Sequence, residues 1–203
     1  MNVYFILFLY WLLFYGVHSL MASSQLKNWV QTTLPFWVGP YRFLYNLVSF
    51  LLFAVAFNFQ RKLVAEPIFE GVVWLSYLGL VLMGFSFAFM VVSFRNYSKS
   101  EFLGMEMWRT KSFNSALGEQ LRIGGLNQLM RHPLYTASYF FFIAYLLYKP
   151  YYSTLVFSVM GCIYLYIGTL YEEKKLVQQF GKQYQDYQEK VPMFFPLRLK
   201  KKS

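Results

Sequence analysis

Three stretches of about twenty residues, each long enough to cross a bilayer, carry almost no ionisable side chain. They are Val3 to about Met21, about Tyr41 to Phe59, and about Gly71 to Phe94. Soluble domains average roughly 25% charged residues, whereas this 203-residue chain has 14%, with 57% hydrophobic. A soluble fold could hardly cover its surface from such a supply. The first run has no positively charged region ahead of it and ends in H-S-L-M-A-S-S, so it reads as a retained span rather than a cleaved leader. The chain is therefore expected to be all-α, polytopic and a single membrane domain over residues 1–203.

Two further apolar runs lie downstream. Pro133 suits the first turn of a helix, where its missing N–H costs nothing, so a fourth span is predicted from there to Tyr148. Lys149-Pro150 makes a tight turn, and a fifth span follows from Tyr151 to Tyr171. From Glu172 to about Lys190 the pattern becomes amphipathic, with Leu176, Phe180, Tyr184 and Tyr187 on one predicted helical face. Pro192 and Pro196 end regular structure, and the tail R-L-K-K-K-S is basic. Residues 1–94 form a three-span part. Residues 95–129, with Arg95, Lys99, Glu101, Glu106, Arg109, Lys111, Glu119 and Arg122, read as a cytosolic interfacial segment. Its short helix is suggested by Phe102, Leu103, Met105, Met107 and Trp108. Residues 130–196 form a hairpin plus amphipathic helix.

Charge sets the expected orientation. With the N-terminus outside, 16 of the 19 basic residues fall on the cytosolic side, and Arg61, Lys62 and Lys149 stay out. The positive-inside rule thus favours about five spans, N-terminus out and C-terminus in. It also explains the net charge of +10 without nucleic acid as a partner, because the basic residues are interspersed with acids beside apolar spans. The lone Cys162 forms no internal disulfide. Two histidines and one cysteine offer no metal-ligand spacing. Gly124-Gly125 lacks a preceding strand and is no dinucleotide fingerprint.

The hairpin returns two polar motifs to one rim: L-M-R-H-P-L-Y at 129–135 and E-E-K-K-L at 172–176. Arg131 and His132 can offer several donors to an anion, or can snorkel to headgroups. Glu172 shares the predicted face of Leu176, Phe180 and Tyr184, and an ionisable side chain at membrane depth points to function. Glu172 or Glu173 could hold an ammonium or accept a proton, or could simply favour a helix start. Tyr135, Tyr139, Tyr171, Tyr184 and Tyr187 could face a cation or belong to an aromatic belt. His18, near the inner end of span one, suits packing or catalysis equally.

R-H-P-L-Y at 131–135, followed by E-E-x-x-L…F-G-x-x-Y-x-x-Y…V-P-x-F-x-P at 172–196, resembles the integral-membrane methyltransferases. These include isoprenylcysteine carboxyl methyltransferases and phospholipid N-methyltransferases. H-S-L-M-A-S at 18–23 and Y-R-F-L-Y-N at 41–46 resemble the branch with methanethiol S-methyltransferase and NnrU-like proteins. The resemblance implies S-adenosyl-L-methionine as methyl donor. It implies that Arg131, His132, Pro133, Tyr135, Glu172, Tyr184 and Tyr187 hold it, with Glu172, Glu173 and His18 as the catalytic candidates. Ala137 departs from the glycine expected there. The resemblance does not carry over a substrate class; the expected acceptor is a small thiol or other apolar nucleophile reaching the site from the lipid bilayer. An isoprenylcysteine or phospholipid acceptor is one alternative, and a non-catalytic NnrU-like membrane protein is another. A small transporter finds thin support in His18 and Asn58. The implied location is a bacterial inner membrane.

Overall fold

A computed structural model describes residues 2–70, 73–94, 105–113, 121 and 123–195. They form eight α-helices joined by loops, two short 3-10 turns and an isolated antiparallel bridge between Pro67 and Tyr151. In chain order these are α1 (Val3–Ala22), α2 (Ser24–Thr33), α3 (Tyr41–Lys62), α4 (Val73–Phe94), α5 (Met105–Thr110), α6 (Pro133–Tyr148), α7 (Tyr152–Phe180) and α8 (Lys182–Lys190). Phe102 and Leu103 of the expected interfacial helix lie outside the described residues. So do Arg95, Lys99, Glu101, Glu119, Arg122 and the basic tail.

Four helices, α1, α3, α4 and α7, with 20, 22, 22 and 29 residues, are long and apolar enough to cross a membrane. The fourth expected span, α6, has 16 residues. At 1.5 Å per residue it reaches about 24 Å, short of the roughly 30 Å of hydrocarbon. Helix α2 is absent from the sequence reading. Its start is set locally, where the Ser23 hydroxyl accepts from the Leu26 N–H at 3.3 Å. Its Val30 is buried.

The chain divides into two compact units. The first gathers Met1–Ile68, Tyr97–Glu119 and Tyr151–Met160, and the second Phe69–Asn96, Gln120–Pro150 and Gly161–Ser203. In the first unit α1 packs along α3 around Trp11, which is fully buried with Leu7 and Ala56. The Trp11 indole donates to Gln60 Oε1 at 3.1 Å, and its ring meets Phe53 and Phe157 at 5.5 and 4.7 Å. At one end the Tyr4 hydroxyl donates to Glu66 at 2.7 Å. At the other the Tyr41 hydroxyl donates to the Met21 carbonyl at 2.7 Å. Val30, Val38, Tyr41 and Phe113 form a small core there. Trp11→Phe keeps a ring but leaves the buried Gln60 carbonyl without its donor. A loss of about 1–3 kcal/mol is expected, read as a lower melting temperature in detergent, with Gln60→Leu restoring part of it.

In the second unit α4 packs along α6 through Gly79. A Cβ added there would lie 2.3 Å from the Tyr148 nitrogen and 2.7 Å from the Ala144 carbonyl oxygen, so the two backbones meet directly. Helices α6 and α7 form the expected antiparallel hairpin. Phe142 faces Gly161, and the Tyr139 hydroxyl donates to the Cys162 carbonyl at 3.3 Å. The expected single amphipathic helix from Glu172 to Lys190 is corrected. It breaks at Gly181, whose φ of +53° suits glycine, so α8 leaves in a new direction.

Candidate functional site

The two motifs meet at the open end of the hairpin. Pro133 is buried at the first position of α6, where no N–H is needed. His132 precedes it as the N-cap, but its side chain makes no capping bond and reaches across to α7. Glu173 on α7 is 6% exposed and His132 5% exposed, so the pair is removed from water. His132 Nε2 lies 2.6 Å from Glu173 Oε1. Arg131 straddles the same carboxylate, donating from Nε to Oε1 at 2.9 Å and from a terminal nitrogen to Oε2 at 3.0 Å. The Tyr184 hydroxyl donates to Oε1 at 2.7 Å, and the Gln188 amide donates to Oε2. Burial, then the bond to Glu173, raises the Tyr184 hydroxyl above its ordinary pKa and keeps it a donor.

The other side of Arg131 is taken by the chain's own backbone. Its second terminal nitrogen donates to the carbonyls of Gln188 and Val191 at 3.2 and 2.7 Å. Four of the five N–H groups of a guanidinium are thus engaged within the protein. The next three carbonyls continue the seam. Pro192 accepts from the Arg131 N–H at 2.9 Å, Met193 from the His132 N–H at 3.1 Å, and Phe194 from the Thr136 hydroxyl at 3.0 Å. V-P-M-F is therefore a strap laid over the start of α6. The His132 ring lies between Tyr135, stacked at 5.5 Å and 19°, and Phe194, tilted at 6.3 Å.

The structure divides the glutamates. Glu173 is saturated with donors. Glu172 keeps a side chain 37% exposed, yet its Oε2 is buried, makes no hydrogen bond, and lies 3.9 Å from His132 Nδ1. The face reading pointed Glu172 inward, but Glu173 is the buried one. Arg131, His132, Glu173 and Tyr184 come together, with Tyr135 and Pro133 flanking them. Tyr187 is buried but turns its hydroxyl to the Asn127 carbonyl. His18 belongs to the first unit, where it bonds to the Tyr45 hydroxyl beneath the cation of Arg42. Ala137 is fully buried in α6. Gln188, Thr136 and Phe194 escaped the sequence reading. Gln188 was findable, since it follows Tyr184 by one helical turn. Among the described residues no group of three or more His, Cys, Asp or Glu could hold a metal ion. An apolar groove of about 390 Å³ runs along α1 between Leu9 and Leu20 in the first unit, and its lining suits hydrocarbon rather than chemistry.

Fold and cluster together define a helical, multi-pass membrane protein with a buried arginine–histidine–glutamate clasp at the mouth of a hairpin. The family model described as NnrU protein matches residues 6–195, and the chain belongs to that family. It is 29% identical over 198 residues to a methanethiol S-methyltransferase of Pseudomonas sp. (strain GM41(2012)), covering 92% of this chain and 70% of the relative. It is 28% identical over 202 residues to that of Pseudomonas deceptionensis, covering 91% and 69%. It is 27% identical over 195 residues to methanethiol S-methyltransferase 2 of Bradyrhizobium diazoefficiens, covering 88% and 68%. These distant relationships join it to NnrU and methanethiol-methyltransferase-like membrane proteins without selecting a branch. No solved structure matches.

Proposed function

We propose that the protein is a membrane methyltransferase that uses S-adenosylmethionine and acts on a small thiol or another apolar nucleophile. The observation that carries this reading is the gap between Glu172 and His132. His132 turns Nε2 to Glu173 at 2.6 Å, which leaves Nδ1 facing Glu172. Glu172 Oε2, buried and without a hydrogen bond, lies 3.9 Å away. A buried carboxylate oxygen without a hydrogen bond calls for a donor, and an ammonium group has the right charge and valence. Glu172 and His132 would therefore hold the amino group of S-adenosylmethionine, with Tyr135 flanking it. Arg131 and Glu173 would hold His132, not the ligand. S-adenosylmethionine, when bound, would supply a sulfonium methyl group for in-line transfer. A thiol acceptor would react as its thiolate, its proton left to water before it binds, with S-adenosylhomocysteine as the leaving product. The protein's part is orientation and exclusion of water, both of which lower the barrier for transfer between oppositely charged centres. His18 is assigned to packing with Tyr45.

The relatives' names support the thiol. A second reading, a non-catalytic NnrU-like protein, is supported by the family match over residues 6–195 and by Arg131, which is nearly spent on Glu173 and the strap. Calorimetric titration of detergent-purified protein separates the two. The expected result is binding of S-adenosylmethionine that weakens at least about tenfold in Glu172→Gln, the loss of one charge-assisted contact. A folded sample that takes up no S-adenosylmethionine ends the enzyme reading and leaves the second. Methyl release to methanethiol, a prenylcysteine and phosphatidylethanolamine then sorts the acceptor.

The proposed topology has five crossings in a bacterial inner membrane, N-terminus out and C-terminus in. In a Cys162→Ser background, an impermeant maleimide should label Asn2→Cys in intact cells but not Glu189→Cys. The reverse pattern would invert the topology.

A further inference from the structure

We propose that Gln188 is a positioning residue, whose side-chain amide fixes the rotation of the Glu173 carboxylate and, through it, the His132 imidazole. The inference rests on the assignment of His132 and Glu172 to the ligand ammonium. Rotation about the last torsion of a glutamate is soft and broadly distributed, so the donors around it decide where each oxygen sits. Glu173 Oε1 takes Arg131 Nε, Tyr184 and His132 at 2.9, 2.7 and 2.6 Å. Among the described residues, Oε2 takes Arg131 at 3.0 Å and the Gln188 amide. The same residue's backbone carbonyl receives Arg131 at 3.2 Å. Gln188 thus touches both members of the ion pair, and from α8 it is the single side chain that adds a donor to Oε2 alongside Arg131. Its partner one turn earlier, Tyr184, secures Oε1. With both oxygens pinned, His132 Nε2 keeps its partner and the ring keeps its orientation, with Nδ1 turned toward Glu172. Without the amide, Oε2 keeps Arg131 while Oε1 keeps three partners, and the carboxylate tilts toward Oε1, carrying the imidazole with it. Where an imidazole ligates a metal, the hydrogen-bond partner behind it typically changes affinity or activity by about 10- to 100-fold, and that sets the scale for an imidazole placed against an ammonium.

The test uses full-length protein in detergent with two volume-conserving variants, Gln188→Met and Gln188→Glu. Methionine removes the donor, and glutamate sets a second carboxylate against Glu173. Methionine keeps the size and helix preference of glutamine, so a merely structural role would tolerate it. The chain has two histidines, so imidazole ¹⁵N resonances can be assigned without ligand, and His18 serves as the internal control. The expected result is shifted His132 imidazole resonances in Gln188→Met with His18 unchanged. The affinity for S-adenosylmethionine should fall about tenfold in Gln188→Met and further in Gln188→Glu. Wild-type His132 resonances in folded Gln188→Met overturn the proposal. If the wild type itself binds no S-adenosylmethionine, the functional reading fails while the imidazole spectra still decide the role of Gln188. If Gln188→Glu does not fold, Gln188→Met alone decides.

Discussion

Glu173→Ala is expected to be the most damaging single substitution in the second unit, while Glu172→Ala leaves the fold nearly intact. Removing Glu173 strands the Arg131 cation and takes the acceptor from the buried His132, from the Tyr184 hydroxyl and from the Gln188 amide. Breaking one partner of a buried ion pair costs about 3–5 kcal/mol, because the remaining charge stays buried and uncompensated. That is a large share of the roughly 5–15 kcal/mol that holds an ordinary domain together. Glu173→Gln should fall between the two: the amide keeps an acceptor oxygen but turns an N–H₂ toward Arg131, Gln188 or His132, all of them donors. Glu172 has its side chain 37% exposed and makes no hydrogen bond through Oε2. Its loss should therefore move the melting temperature little while weakening ligand binding. Melting curves in detergent, set beside titrations with S-adenosylmethionine, separate the two glutamates. Equal destabilisation by both alanine variants would contradict the division drawn here.

Gly79→Val is the second large effect. The added carbon would sit 2.3 Å from the Tyr148 nitrogen and 2.7 Å from the Ala144 carbonyl oxygen, both main-chain atoms of α6. A rotamer change cannot relieve that clash, so α4 and α6 must separate. Overpacking a well-packed contact costs about 1–3 kcal/mol and occasionally more, and here it also opens the packing along two whole helices. Gly161→Ala is a graded comparison, since the three atoms nearest its Cβ would be ring atoms of Phe142, which can swing aside at lower cost. Gly84→Ala is the control: nothing lies within 4 Å of its Cβ position, so the helix preference of alanine over glycine, up to about 1 kcal/mol, should leave it neutral or slightly stabilised. The order Gly79→Val, Gly161→Ala, Gly84→Ala, from worst to best, can be read from the fraction of monodisperse protein after heating.

The sequence alone determined what depends on composition and short-range chemistry. Charge-free runs produced the long helices, because only apolar side chains are at ease in hydrocarbon. Pro133 and Lys149-Pro150 marked the ends of α6, because proline acts on its own turn. The return of Arg131-His132 and Glu172-Glu173 to a shared rim followed from two helices joined by a two-residue turn. The short helix α2 was within reach of the same local logic through Ser23, Leu26 and Val30. What needed the tertiary structure was the choice between the glutamates. The periodic reading carried one helical face unbroken from Glu172 through Tyr184 and so turned Glu172 inward. Gly181, with φ of +53°, ends that continuity and redirects α8, which brings Tyr184 and Gln188 onto Glu173 instead. A single backbone torsion in a region open mainly to glycine leaves no trace in hydrophobic periodicity. Which carboxylate is enclosed, and which stays partly exposed, is therefore settled by how α7, α8 and the 191–194 strap pack together.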